Sequence, residues 1–255
     1  MALHVVNYII EAKPISFIWE NVVALAQPQH AGYFDTITGL LKSIRGADGH
    51  PLYRAVWKLL DPTDLGVPQS RRRVYIVGIT AAIERQTKRF MFPGEGCCRL
   101  LPLTEVLDPD MADPPEVPEQ ASEQKIFLQS YQKIFESGGQ PSDDWLINLS
   151  GQSVSVMKNK CPCITRSHCG ANGYYSTARG RKLRLAELMR LQGFDAQRLV
   201  CPPTVSERQA RLMVGNAFCV QVIAAVLDRL LYAIGKTDKP LTFVHGKGGD
   251  VEGNA

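Results

Sequence analysis

The sequence predicts an α/β fold on three observations. Stretches with helical apolar spacing alternate with short apolar runs over the first eighty positions. The run Val74 to Ile79 is almost unbroken and reads as an apolar strand of an open sheet. Hydrophobic residues make up 45% and charged residues 21% of the 255, enough apolar material for a core.

Taken in order, Leu3 to Ala12 is spaced as a helix that Pro14 stops, and Ile15 to Trp19 reads as a short buried strand. Tyr33 to Ser43 is helical, and Arg45 to Pro51 is turn material. Tyr53 to Leu60 alternates as a strand, Asp61 to Pro68 forms a loop, and Arg73 to Ile79 is a further strand. After Thr80 the pattern breaks. Leu100 to Gln120, with Pro102, Pro109, Pro114, Pro115 and Pro118, reads as loop, and Ile126 to Tyr175 as irregular. Helix returns at Leu185 to Leu191 with Gly193 as its stop. Thr204-Val-Ser-Glu207 reads as a capping box opening a helix that breaks near Gly215-Asn216 and resumes from Phe218 to about Ala233. The glycine-rich tail from Gly235 is expected to be disordered.

Several classes are disfavoured. No stretch approaches eighteen uninterrupted apolar residues, so no membrane span is expected. The first residues lack the basic start of a secretory leader. Seven cysteines without framework spacing point to reduced thiols in an intracellular setting. The net charge of +4 names no partner, but its distribution is uneven. Arg179, Arg181, Lys182, Arg184, Arg190, Arg198, Arg208 and Arg211 face only Glu187, Asp195 and Glu207, while Leu100 to Trp145 is strongly acidic. This suits either one polyanion-facing side or two solvated faces.

Three strings carry chemistry. Glu20-Asn21-Val22 follows a strand, where a carboxylate points into a site or stands idle in solvent. In Gln69-Ser-Arg71-Arg72-Arg73, strand alternation would put Gln69, Arg71 and Arg73 on one donor-rich face and Arg72 on the other. Gly215-Asn216-Ala217-Phe218 sits between helical stretches and suits either a polar ligand or a packing kink.

With Arg181-Lys182-Leu183, Glu187, Leu191-Gln192-Gly193-Phe194 and Gln209 between them, these strings resemble the C-terminal half of the DNA cytosine-5 methyltransferases. The resemblance runs from about Ala2 to Leu231 and is weakest from Thr80 to Lys160. It implies the second half of a Rossmann-like, S-adenosylmethionine-dependent catalytic domain over 1–80. A small irregular target-recognition region would follow over 81–178, then a bracing segment and returning helix over 179–233 and a tail over 234–255. It also implies duplex DNA as partner, with a flipped-out cytosine as substrate. Glu20 would contact the cytosine exocyclic amine and N3, Arg73 its O2, and Arg71 the closed active-site loop or the base. Asn216, Ala217 and Phe218 would touch the cofactor. Asn21, Gln69, Arg179, Arg181 and Lys182 would serve DNA binding, the last three at phosphates.

The same family places a Gly-rich cofactor loop and a Pro-Cys nucleophile upstream of Glu-Asn-Val, and Met1 to Trp19 contains neither cysteine nor glycine. Pro162-Cys163-Ile164-Thr165 resembles the end of the recognition region rather than the nucleophile. Cys161, Cys163, His168 and Cys169 lack paired metal-ligand spacing, so no metal is expected. Cys97, Cys98, Cys201 and Cys219 read as small apolar residues. The expectation is a C-terminal portion of a longer enzyme, in the nucleus of a eukaryote or otherwise the cytoplasm. The alternatives are one subunit of a split enzyme whose second chain supplies the other half, a nucleophile-free regulatory relative that binds DNA or a partner methyltransferase, and a transfer-RNA methyltransferase. Expressed alone, the 255 residues are expected to be poorly soluble and inactive, with Phe17 on an unpaired strand edge. Soluble yield and methyl incorporation check this; a soluble, methylating monomer would overturn it and return Cys163 to a catalytic role.

Overall fold

The structure is a computed structural model that describes residues 2–240 except 95, 97, 151, 171, 172 and 200. The expectation for the tail therefore lies, from 241 onward, outside the described residues. In chain order the elements are α1 (Ala2–Ala12), β1 (Ser16–Val22), α2 (Ala31–Ser43), β2 (Tyr53–Leu60), β3 (Arg73–Thr80), α3 (Ala81–Gln86), α4 (Leu103–Val106) and α5 (Ala121–Glu136). They continue with β4 (Trp145–Asn148), β5 (Val156–Lys158), α6 (Arg166–Gly170), β6 (Tyr174–Ser176), β7 (Arg181–Lys182), α7 (Leu185–Leu191), α8 (Glu207–Asn216) and α9 (Val220–Ala233). Two compact units result, one from Met1–Asp61, Arg72–Gly94 and Ile223–Thr242, the other from Pro62–Arg71 and Glu95–Val222.

In the first unit the sheet order is β1-β3-β2, and both outer strands pair antiparallel with β3. β1 and β2 thus run the same way, joined through α2, while β3 returns between them. The expected alternation of helices and short apolar strands is present, but among the described residues every pairing in this sheet is antiparallel. β3 is central, and Val74 to Val77 and Ile79 are buried, which explains the unbroken apolar run. Phe34, Ile37 and Leu41 on α2 and Val6 and Ile9 on α1 pack in the same core, at the three- and four-residue spacing of one helix face. Among the described residues β1 pairs on one side only.

The second unit holds a sheet of order β5-β4-β6-β7. Its strands are two to four residues long, and both faces are covered. Leu146 and Tyr174 enter a core with Leu188, Leu191 and Val214, while their neighbours Ile147 and Tyr175 enter another with Ile126. The second face is covered by α5, a sixteen-residue helix in a stretch expected to be irregular. Its buried Glu123, Ile126, Ser130 and Ile134 follow helical spacing. The acidic, proline-rich loop also contains the single turn α4, whose Leu103 and Val106 are buried.

The start of α8 lies two residues later than the sequence suggested. Ser206, not Thr204, is the cap: its Oγ accepts from Gln209 N–H at 3.3 Å, and Gln209 Oε1 accepts from Ser206 N–H at 2.8 Å. α7 and Gly193 occur as expected, the glycine at φ +82°. α8 packs on the start of α6 so closely that a Cβ at Gly215 would stand 2.5 Å from the Thr165 carbonyl carbon and oxygen. The packing reading of this glycine is the one the structure realises. Gly215→Ala should therefore lower stability by about 1–3 kcal/mol. Gly39→Ala, at an exposed position of α2 with nothing within 4 Å of its Cβ, should raise it by about 0.5–1 kcal/mol. Urea unfolding of both variants would show opposite signs; equal signs would contradict the packing.

Candidate active site

The sheet of the first unit brings Glu20 and Arg73 together. Val22 lies opposite Arg73 and Glu20 opposite Tyr75, so Glu20 and Arg73 share one face as diagonal neighbours. Arg73 Nε stands 3.2 Å from Glu20 Oε1, with 13% and 17% of the two side chains exposed. A carboxylate acceptor and a guanidinium donor thus lie side by side, reachable from solvent yet mostly shielded from it. Glu20 sits inside β1, two residues before its end, rather than beyond the strand. Asn21 is on the opposite face, and its Oδ1 accepts from the N–H of Val22 at 2.8 Å.

Gln69 and Arg71 do not share a strand face with Arg73, because β3 begins only at Arg73. They belong to the second unit. The N–H of Ser70 donates to Cys161 O at 2.9 Å, and that of Cys161 to Pro68 O at 2.8 Å, which holds this segment beside 161–165. The buried Arg71 guanidinium donates to Ile164 O and, at 3.3 Å, to Gly215 O. Gln69 is fully buried, and its Nε2 donates to Leu191 O at 2.7 Å and Gln192 Oε1 at 3.0 Å. Both side chains are therefore directed at backbone carbonyls and a buried amide, the reverse of an outward donor face.

At the α8–α9 junction, Asn216 is exposed, Ala217 is partly buried and the Phe218 ring is 50% exposed. Ala217 also lines an apolar cleft of about 270 Å³ with Met189, Phe194, Met213 and Val214.

The basic stretch is not an open strip of cations. Arg179 and Arg181 are buried. Arg179 binds Asp144 at 2.9 Å and donates to Asp108 O at 2.9 Å. Lys182 binds Glu123 at 2.8 Å, Arg184 binds Asp110 and Asp108, and Arg190 binds Asp108 at 2.5 Å. From Arg179 to Arg190 the basic stretch pairs with the acidic insert within the unit, while Arg198 and Arg211 pair with Asp195 and Glu207. At its centre Arg181 grips the buried Glu187 through two hydrogen bonds of 2.9 and 3.0 Å. The N–H groups of Arg184 and Asp108 also donate to Glu187, at 2.7 and 2.9 Å. Burial pushes this carboxyl up, but the guanidinium and the two amides outweigh it and hold it below its ordinary value of 4.5.

Residues 1–231 match the family described as C-5 cytosine-specific DNA methylase. The chain belongs to that family. It is 27% identical over 230 residues to the type II methyltransferase M.HaeII of Haemophilus aegyptius, covering 90% of this chain and 64% of that one. To M.NgoBI of Neisseria gonorrhoeae it is 29% identical over 215 residues, covering 84% and 60%. The chain thus spans somewhat under two thirds of the length of these relatives. The crystal structure of a DNMT2 variant from Spodoptera frugiperda aligns with TM-score 0.58 at 17% identity, over 91% of this chain and 71% of that one. A prophage-encoded putative DNA modification methyltransferase from E. coli aligns with TM-score 0.51 at 16% identity, over 92% and 74%. These likenesses establish the methyltransferase fold.

In this methylase chain the thiols of Cys161 and Cys169 are buried and pushed up by desolvation, Cys169 to about 12, which leaves them protonated and inert. Cys163 is partly exposed, and its carbonyl accepts from Tyr174 Oη at 2.7 Å. Cys219 is buried as an apolar residue should be, whereas Cys201 is exposed and Cys97 lies outside the described residues. Sequence reasoning passed over two residues of this methylase: Glu187 as the hub of the ion-pair cluster, and Gln192, which lies in a quoted string but gave no sign of its partners.

Glu187→Leu should cost about 3–5 kcal/mol, because the buried Arg181 loses its two-bond carboxylate partner and keeps only the half-exposed Asp110 carboxylate, 3.5 Å away, as counter-charge. The acid dependence follows from the depressed carboxyl. Its contribution is complete above the unfolded value and falls away as pH drops through the lower folded one. Urea titrations between neutral and strongly acid pH should therefore show an acid loss that is smaller in Glu187→Leu; equal loss in both proteins would contradict this.

Proposed function

We propose that this chain carries the base-recognising and donor-facing part of a DNA cytosine-5 methyltransferase. It acts in moving a methyl group from S-adenosylmethionine to C5 of a cytosine taken out of the duplex. The observation that carries the reading is the Glu20–Arg73 pair, 3.2 Å apart on neighbouring strands. The cytosine edge offers an exocyclic amine, N3 and a carbonyl O2. Glu20 accepts from the amine and holds a proton at N3, which makes C6 more electrophilic. Arg73 donates to O2, where negative charge develops as C6 is attacked. Low exposure of both side chains strengthens these interactions relative to water.

The residues at the α8–α9 junction fit the methyl donor chemically. Asn216 offers an exposed carboxamide for polar atoms, and the half-exposed Phe218 ring offers a stacking surface for adenine. When bound, S-adenosylmethionine supplies an electrophilic methyl group. The thiolate that adds to C6 would come from a Pro-Cys string of the kind this family carries before the Glu-Asn-Val string.

The test uses the chain expressed together with the coding sequence upstream of Met1, tritiated S-adenosylmethionine, and duplex DNA or transfer RNA. Incorporation into DNA is expected. Glu20→Gln should lower kcat by about 10²–10⁴-fold and Arg73→Ala by about 10²–10³-fold. Incorporation into transfer RNA alone would overturn the substrate, and Glu20→Gln activity within tenfold of the parent would overturn the site.

A further inference from the structure

We infer that Gln192 is a positioning residue whose buried amide fixes the α8–α9 junction, so that Asn216 and Phe218 face the methyl donor. The inference rests on the donor site proposed above, but its geometry stands independently. Gln192 is fully buried. Its Nε2 donates to Val214 O at 2.8 Å and approaches Ala217 O at 3.5 Å, reaching the last turn of α8 and the link beyond it. Its Oε1 accepts from Gln69 Nε2 at 3.0 Å. Its backbone carbonyl accepts from Val220 N–H at 2.9 Å, at the first residue of α9. One residue thus holds the end of one helix, the link, the start of the next helix and the 69–71 segment.

The chemistry explains why a glutamine stands there. A carboxamide carries donor and acceptor on separate atoms without charge, so it can face carbonyls on one side and an N–H on the other. A carboxylate would place oxygen against the Val214 and Ala217 carbonyls, and an aliphatic side chain would leave Gln69 Nε2 with one partner fewer. Gln69 Oε1 is buried with no hydrogen-bond partner among the described residues. Such an orphan is unfavourable and an aliphatic residue would avoid it, so the gain from this amide lies in what it holds. Two contacts support the same junction. Gln221 Nε2 donates to Gly193 O at 3.4 Å, and Arg71 donates to Gly215 O. The outward residues are presented by the backbone between these anchors, and Gln192 itself touches no surface.

The experiment compares the parent protein and Gln192→Leu, both expressed with the upstream coding sequence, by calorimetric titration with S-adenosylhomocysteine and by hydrogen exchange. Expected are an affinity at least tenfold weaker and faster exchange of the 214–220 amides, with exchange in β4 and β6 unchanged. In steady state, KM for the methyl donor should rise while kcat at saturating donor stays within about threefold, the pattern of lost binding rather than lost chemistry. Should Gln192→Leu not fold, Gln192→Met, which keeps the unbranched shape, takes its place. A folded variant with lowered melting temperature but parental affinity and KM would reduce Gln192 to a stabilising residue and overturn the inference. If the parent itself binds no S-adenosylhomocysteine, the proposed donor site fails. Unchanged exchange at 214–220 in the variant would overturn the anchoring by Gln192 whether or not the parent binds.

Discussion

The Glu187 carboxylate has left water and accepts four hydrogen bonds, two from the Arg181 guanidinium and one each from the N–H groups of Arg184 and Asp108. Each donor belongs to a different piece of the second unit. Arg181 is in β7, Arg184 opens α7, and Asp108 lies just past α4 in the acidic, proline-rich segment. Arg181 also donates through Nε to Asp110 O at 3.1 Å, which carries the same anchor further along that segment. Segments that form little regular structure of their own are thereby placed by a charge that cannot be left unpaired. Burying this pair costs desolvation, so its effect lies in fixing one arrangement rather than in adding stability over an apolar core.

The motif Gln69-x-Arg71-x-Arg73 divides its tasks where the strand begins. Gln69 and Arg71 precede regular pairing and turn toward carbonyls, whereas Arg73, the first residue of β3, takes up strand register beside Glu20. A two-residue alternation written in the sequence thus does not guarantee a common face. It holds only where the backbone is extended and paired.

How much was legible follows from how local each signal is. The long apolar runs of β2 and β3, the span of α7 and the stop at Gly193 follow from nearest neighbours, and the structure holds them. The direction of β3 was not legible, because antiparallel insertion between two strands depends on partners 51 to 63 positions distant in β1 as well as those in β2. The sheet of the second unit was hidden because strands as short as Tyr174–Ser176 bury both faces and show no polar alternation. α5 had a readable stripe, but glycine punctuation around it outweighed the spacing. For the site, Glu20 and Arg73 were legible as motif members. The burial of Arg179 and Arg181 was not, since summed charge says nothing of pairing across about seventy residues, as between Asp110 and Arg181.

The first unit is not continuous in the chain. After its sheet and α3, 128 residues from Glu95 to Val222 build the other unit before Ile223–Thr242 returns to it. The return is anchored by Thr87 Oγ1 donating to Ala233 O at 2.5 Å and by the Lys88 ammonium 3.9 Å from the centre of the Tyr232 ring. On the ribosome, the strands bearing Glu20 and Arg73 therefore emerge before α9 and wait for it. A nascent chain stopped before Ile223 would hold a finished second unit beside an unfinished first one. Quality control acting during synthesis would then sense the state of α9.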